Sequence, residues 1–180
     1  IKPKKLLIYN DQSNQEQRQL IVNKIKSSKY KIGLVSDAGT PLISDPGYKL
    51  VQECIKNMIK ITHVPGASSL TTSLVLSGLP SNNFFFGGFL EKSKTKRKKQ
   101  LINALNLTFT SLWYESPNRL AETLKFIIEL KNDSLISVLR ELTKFNEEVI
   151  RGSPSYVYDQ IGKKTKLRGE IVLIISNNNQ

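Results

Sequence analysis

An α/β fold is predicted by three observations. Short apolar runs bounded by polar or turn residues alternate with stretches whose apolar positions recur every three to four residues, as strands alternating with helices do. The 180 residues are 39% hydrophobic and 23% charged, a globular composition with enough length to bury a substantial core. Between residues 31 and 58 a strand-like run enters a loop rich in Gly and Pro and then a helical pattern. That is the unit around which open α/β sheets bind small ligands.

The first half reads as strand and helix repeated three times. Lys5–Tyr9 is a short strand, and Gln17–Lys29 is an amphipathic helix with Leu20, Ile21 and Ile25 inward. Lys31–Val35 is the second strand and residues 47–58 the second helix, with Leu50, Val51, Cys54 and Ile55 at helical spacing. Ile59–Val64 is the third strand; Pro65-Gly66 ends it, and Ser68 and Ser69 stand at the N-cap of a helix through Leu76. Such order predicts a parallel α/β layer over residues 1–81.

Gly78–Asn83 reads as a hinge to a second domain over residues 82–180. Strands are expected at Phe84–Leu90, Thr108–Tyr114, Ser134–Leu139, Asn146–Arg151 and Glu170–Ser176. Helices are expected at 95–106, from Ser116-Pro117 to Leu130, and at Ser153–Gly162. Their irregular alternation predicts a mixed sheet. The three phenylalanines Phe84–Phe86 are expected to be mostly core.

Charge is the unusual feature of the composition. The net charge is +12, and six cations with one acid are packed into Glu91–Lys99. Lys92, Lys94, Lys96, Arg97, Lys98 and Lys99 would neutralise several phosphates of a nucleic acid, although charge runs are more often solvated faces. The one cysteine, Cys54, excludes an intrachain disulfide and fits a reducing compartment. It lies on an apolar helix face and reads as core. With one histidine, His63, it cannot build a zinc site of the usual ligand types. No apolar run reaches transmembrane length.

The loop Ser36–Gly47 holds two glycines, two prolines and five short polar side chains. Gly39 and Gly47 can take positive φ, while the prolines fix it, so the loop should hold its backbone groups in set directions. Neither the Walker pattern nor Gly-x-Gly-x-x-Gly occurs. Together with Pro65-Gly66 and Ser77–Pro80, this loop resembles the tetrapyrrole-methylase superfamily. Within it the chain is most similar to the ribosomal RNA small subunit methyltransferase I family. Seven motifs occur in that family's order, the others being Gly88-Phe89-Leu90, Tyr114–Pro117 with Arg119, Arg140–Lys144 and Gly169-Glu170.

The resemblance implies a two-domain class III methyltransferase architecture with S-adenosyl-L-methionine bound between the domains. It implies a cytoplasmic, metal-free homodimer that methylates a cytidine ribose 2′-hydroxyl in 16S ribosomal RNA, with the 30S subunit as partner. Carried over residue by residue, donor contacts fall on Gly39, Thr40, Leu42, Ile43, Ser68, Ser69, Tyr114 and Leu139. Candidate catalytic or positioning groups are Glu115, Arg140 and Glu141, and Arg119 joins the basic run as an RNA contact. The chain departs from the family in having Asp11-Gln12-Ser13-Asn14 for His-x-His-Asn, Asn118 for His and Glu91 for Pro. It begins at Ile1 without the family's first two strand–helix units, on the order of 50 residues, and is expected to be N-terminally truncated. Two other readings stay open: a small-molecule corrin or porphyrin methylase, and a non-catalytic RNA-binding module.

Overall fold

Asn14 and Gln17 close a capping box at the start of the first helix. The computed structural model describes residues 6–29, 31–163 and 167–177. The chain divides into two compact units, Ile1–Ala67 and Ser68–Gln180.

In the first unit, α1 (Gln15–Ser27) is capped by Asn14 Oδ1, which accepts from Gln17 N at 2.8 Å, while Gln17 Oε1 accepts from Asn14 N at 3.2 Å. Such caps contribute about 1 kcal/mol. Helix α2 (Tyr48–Lys56) buries Leu50 and Cys54 against Val22 of α1, with Tyr9, Ile21, Ile25 and Ile59 around them. Cys54 is therefore core, as its position predicts. Burial pushes its thiol pKa up, which keeps it protonated and unreactive.

The loop between them is anchored by a residue that the sequence did not mark. Both carboxylate oxygens of Asp11 accept from Gly47 N at 3.2 Å, Lys49 Nζ donates to the Asp11 carbonyl at 3.0 Å, and Tyr9 OH donates to Asp11 Oδ1 at 2.7 Å. Gly47 has φ 140° and a neighbouring Leu42 carbon 2.7 Å from where a Cβ would stand, so only glycine fits.

The three strands expected here do not form. Leu6–Tyr9, 31–35 and 59–64 pair with nothing as strands among the described residues, and Lys5 lies outside them. A parallel strand exists only by exchanging N–H and C=O groups with neighbours. Lacking a ladder, these segments leave Ile8, Val35 and Val64 at 80% exposure or more.

The second unit holds a mixed sheet of β1 (Phe84–Phe89), β2 (Thr110–Glu115), β3 (Leu135–Arg140), β4 (Glu148–Gly152) and β5 (Ile171–Ser176). Their spatial order is β1-β2-β5-β3-β4, with β1 and β2 parallel and the other pairs antiparallel. Helices α4 (Lys94–Leu105), α5 (Pro117–Lys131) and α6 (Pro154–Gly162) cover one face through Leu101, Leu124, Ile127, Val157 and Ile161. Helix α3 (Ser69–Ser77) covers part of the other, where Leu74 meets Leu112, Leu139, Val172 and Ile174. Although α3 precedes the expected hinge, it packs with this unit. It ends at Gly78 in the left-handed conformation (φ 70°), and Arg151 Nε donates to the carbonyls of Leu76 and Ser77 at 3.0 and 3.1 Å. A cation there also offsets the helix dipole.

At the edge, β1 breaks register between Phe86 and Phe89. Gly88 takes φ 69°, and a Cβ on Gly87 would stand 2.1 Å from the Trp113 ring. Gly87→Ala should therefore lower stability by about 1–3 kcal/mol through overpacking, read as a lower urea midpoint at unchanged slope.

A second expectation concerns Tyr9. Burial first, and then its bond to Asp11, push its phenol from 10.0 up to about 12. The folded pKa lies above the unfolded one, so stability is level below pH 10 and falls as pH rises from 10 towards 12. Titration of tyrosinate absorbance should show one late phenol that Tyr9→Phe removes, with loss of that pH dependence.

Candidate functional site

In the first unit the Ser36–Gly47 loop is more constrained than its glycines alone imply. Gly39 (φ 72°) and Gly47 take positive φ as expected, but so do Leu42 (φ 73°) and Ser44 (φ 61°). Backbone strain at non-glycine residues is found where surrounding contacts over-determine a functional shape. Those contacts are the Asp11 anchor, Ser36 Oγ donating to the Ala38 carbonyl at 3.1 Å, and Thr40 Oγ1 donating to the Ala67 carbonyl at 3.1 Å. Thr40 thus ties the loop to the segment that leads into Ser68. Leu42 is half-buried and Ile43 is exposed.

In the second unit Ser69 and Tyr114, distant in sequence, meet. Ser69 Oγ lies 2.7 Å from Tyr114 OH, joining the first turn of α3 to the carboxyl end of β2. Tyr114 is also flanked edge-on by Phe86 and Phe89, both with ring centroids 5.1 Å away. Phe89 is 60% exposed, so this aromatic wall is open on one side. Ser68 is the N-cap of α3, yet its side chain accepts no capping bond, which leaves first-turn N–H groups available to an acceptor.

The aromatic wall corrects the reading of Phe84–Phe86 as mainly core. Phe84 and Phe85 are 40% and 44% exposed, because β1 is an edge strand. The two-residue alternation ending at Gly87-Gly88 was the signal that could have shown which ring faces Tyr114. The Leu139 side chain is fully buried against Leu74, Leu112, Val172 and Ile174, so it helps hold the sheet.

The candidate catalytic groups are all engaged. Glu115 is buried; one oxygen accepts from Ser116 N at 2.6 Å and from Arg119 Nη2 at 2.7 Å, and the other from Thr123 Oγ1 at 2.6 Å. It fixes the start of α5 and is no free base, and the sequence alone could not show Thr123 beneath it. Arg119 keeps Nε and Nη1 buried without an acceptor. Arg140 pairs with Glu148, its cross-strand neighbour, at 3.2 Å. Glu141 accepts from Glu170 N and Lys144 Nζ, which hold its carboxyl below the usual range.

The basic run is split by the helix it forms. Arg97 is 1% exposed and is withdrawn from any surface. Its guanidinium pairs with Glu122, donates to the Glu91 and Lys92 carbonyls at 3.3 Å and lies 5.8 Å above the Phe126 ring. Helical spacing turns this one position of the run inward among Leu101 and Leu105. Lys94 pairs with Glu122, whose pKa is lowered first by that bond. Lys98 lies 3.5 Å from Glu129 and over Phe126. Lys92 and Lys99 are exposed, as is Lys96, and none of the three has a salt-bridge partner among the described residues.

No group of three or more His, Cys, Asp or Glu side chains that could hold a metal ion exists among the described residues, nor any helix long and apolar enough to cross a membrane.

Comparison with known proteins gives this geometry its context. Residues 7–155 match the family of tetrapyrrole (corrin/porphyrin) methylases. The chain is 43% identical over 176 residues to a Rickettsia prowazekii protein named ribosomal RNA small subunit methyltransferase I, aligning 98% of this chain with 62% of that protein. Proteins of the same name from a Hydrogenobaculum species and from Thermotoga maritima are 40% and 39% identical, with 99% and 96% of this chain aligned to 77% of each. The chain thus spans 62–77% of the length of these relatives. Among solved structures, diphthine synthase has a TM-score of 0.65 at 16% identity, covering 90% of this chain and 65% of that one. The methyltransferase CobJ has a TM-score of 0.63 at 15% identity, covering 91% and 71%, and at such identity the likeness is one of fold. The chain belongs to the tetrapyrrole methylase family and, within it, to the group named ribosomal RNA small subunit methyltransferase I.

Proposed function

We propose that the protein transfers a methyl group from S-adenosylmethionine to a cytidine ribose 2′-hydroxyl of 16S ribosomal RNA. The observation that carries this reading is identity of 39–43% along nearly the whole chain to proteins named ribosomal RNA small subunit methyltransferase I. The reading brings with it a cytoplasmic location, a homodimer and the 30S subunit as partner.

The residues present fit a sulfonium nucleoside. Phe86, Phe89 and Tyr114 offer an aromatic wall to a cation, and the uncapped first turn of α3 offers N–H groups to a carboxylate. We assign donor contact to Ser68, Ser69 and Tyr114 in the second unit and to Gly39, Thr40, Leu42 and Ile43 in the first. When bound, the donor supplies a methyl group on a good leaving group. The protein's task is then alignment, to which each unit brings its own fixed element: the Asp11-anchored loop in the first and the Ser69–Tyr114 bond in the second. Glu141 and Arg140, both tied into ion pairs at the end of β3, act as positioning groups for the RNA. Arg119 and the lysines of α4 meet phosphates.

The decisive experiment incubates the whole protein with labelled donor and 30S particles and maps 2′-O-methylation. Labelled ribose is the expected result; bound donor without transfer to RNA would overturn the reading.

Two quantitative expectations accompany it. Tyr114→Phe, which removes the hydroxyl that Ser69 meets, should weaken S-adenosylhomocysteine binding about 3- to 10-fold, measured by calorimetry. The lysines without partners, Lys92, Lys96 and Lys99, should give a salt slope of about −2 for single-stranded RNA, since each neutralised phosphate contributes about −0.7. Replacing all three by alanine should remove that contribution and leave only the smaller slope of Arg119 and the remaining lysines. Arg97→Met should leave the slope unchanged while lowering the urea midpoint. A corrin or porphyrin methylase would be indifferent to the lysine changes.

A further inference from the structure

The turn between β3 and β4 holds one aromatic side chain fully in water, on a backbone that is anything but loose. Glu141 N donates to the Glu170 carbonyl at 3.0 Å and Glu170 N to Glu141 Oε1 at 2.9 Å. Lys144 Nζ bridges Glu141 Oε1 at 3.0 Å and Glu170 Oε2 at 2.9 Å. Thr143 N donates to Glu147 Oε2 at 2.6 Å, and Glu147 N returns to the Lys144 carbonyl at 3.0 Å. Within this lattice Glu141 (φ 51°) and Thr143 (φ 63°) are held in the left-handed region, which a β-branched residue rarely enters. At its tip Phe145 has a relative exposure of 102%.

Burial in the protein does not explain this ring, since it touches no apolar neighbour: residues 143–147 are exposed throughout and the rest are Thr, Lys, Asn and Glu. A protein interface needs a contiguous apolar patch of several hundred Å². One planar ring offers far less than that, but it matches the face of one nucleobase. The turn carries one cation, Lys144, among the carboxylates of Glu141, Glu147 and Glu170, so it is net acidic and does not compete with α4 for phosphates.

We propose that Phe145 is a stacking platform for one unpaired base of the RNA, a role that rests on the RNA substrate proposed above. Stacking recognises a base that is splayed out and is independent of counterions, whereas the lysines of α4 act on phosphates of any sequence. The turn then tells single-stranded from duplex RNA, and α4 supplies salt-dependent attraction.

The test measures anisotropy of a labelled single-stranded RNA oligonucleotide, and of its duplex, across a salt series. Wild type, Phe145→Ala and Phe145→Trp are compared, with S-adenosylhomocysteine calorimetry and sedimentation on each. Phe145→Ala should weaken single-strand binding about 5- to 100-fold with an unchanged salt slope, leave duplex and nucleoside binding as they were, and be rescued by Phe145→Trp. Equal single-strand affinity in Phe145→Ala and wild type would overturn the stacking role and leave the RNA reading standing. A change in sedimentation without a change in RNA affinity would overturn it in favour of a protein contact. Wild type that binds the nucleoside but no RNA would overturn the RNA reading and this role with it.

Discussion

Strand β5 is apolar on both faces, and the second unit follows from the need to cover it twice. All six residues of Ile171–Ser176 are buried, so helices must lie above and below the sheet. Three helices supply one layer. The other depends on α3, whose Leu74 enters the cluster of Leu112, Leu139, Val172 and Ile174. Because α3 is drawn onto that face, its first turn arrives beside the end of β2, and Ser69 can reach Tyr114. The hydroxyl pair of the candidate site is thus a by-product of burying an Ile- and Val-rich strand.

The same logic of covering surfaces divides the basic run. A helix that packs on a sheet must turn some positions inward, and in α4 one of those positions is a cation. Arg97 reaches the interior by pairing with Glu122 and donating to carbonyls of its own N-terminal approach, as a buried charge must. Its neighbours Lys96 and Lys99 stay outside. A run of like charges is therefore several functions in a row, and the helical period separates structure from surface.

Much of the second unit was legible in the sequence. Each of its strands and helices lies within a few residues of where apolar periodicity, Pro at the first helical position and Gly turns place it. The first unit was legible only in part. Leu6–Tyr9, 31–35 and 59–64 have strand composition, but a strand is a relation between segments, and periodicity reports the segment alone. The candidate site shows the same division. Ser69 and Tyr114 could be named from motifs, whereas Asp11 takes its role from Gly47, far along the chain, and Thr123 from a carboxylate one helix turn and a loop away. Glu115 and Leu139 are both buried, which a position in a motif does not reveal.

The unpaired segments of the first unit also bear on how the polypeptide behaves at high concentration. Ile-Gly-Leu-Val and Ile-Thr-His-Val sit in no ladder among the described residues and expose Ile32, Val35, Ile61 and Val64, and unladdered β-prone segments of this kind are where cross-β assembly starts. Each is preceded by lysine, Lys31 and Lys60, and repulsion between these like charges opposes in-register stacking as gatekeeper residues do. Colloidal stability of this half therefore depends on ionic strength in a sense opposite to that of a well-covered domain: added salt screens the lysines and brings the segments together.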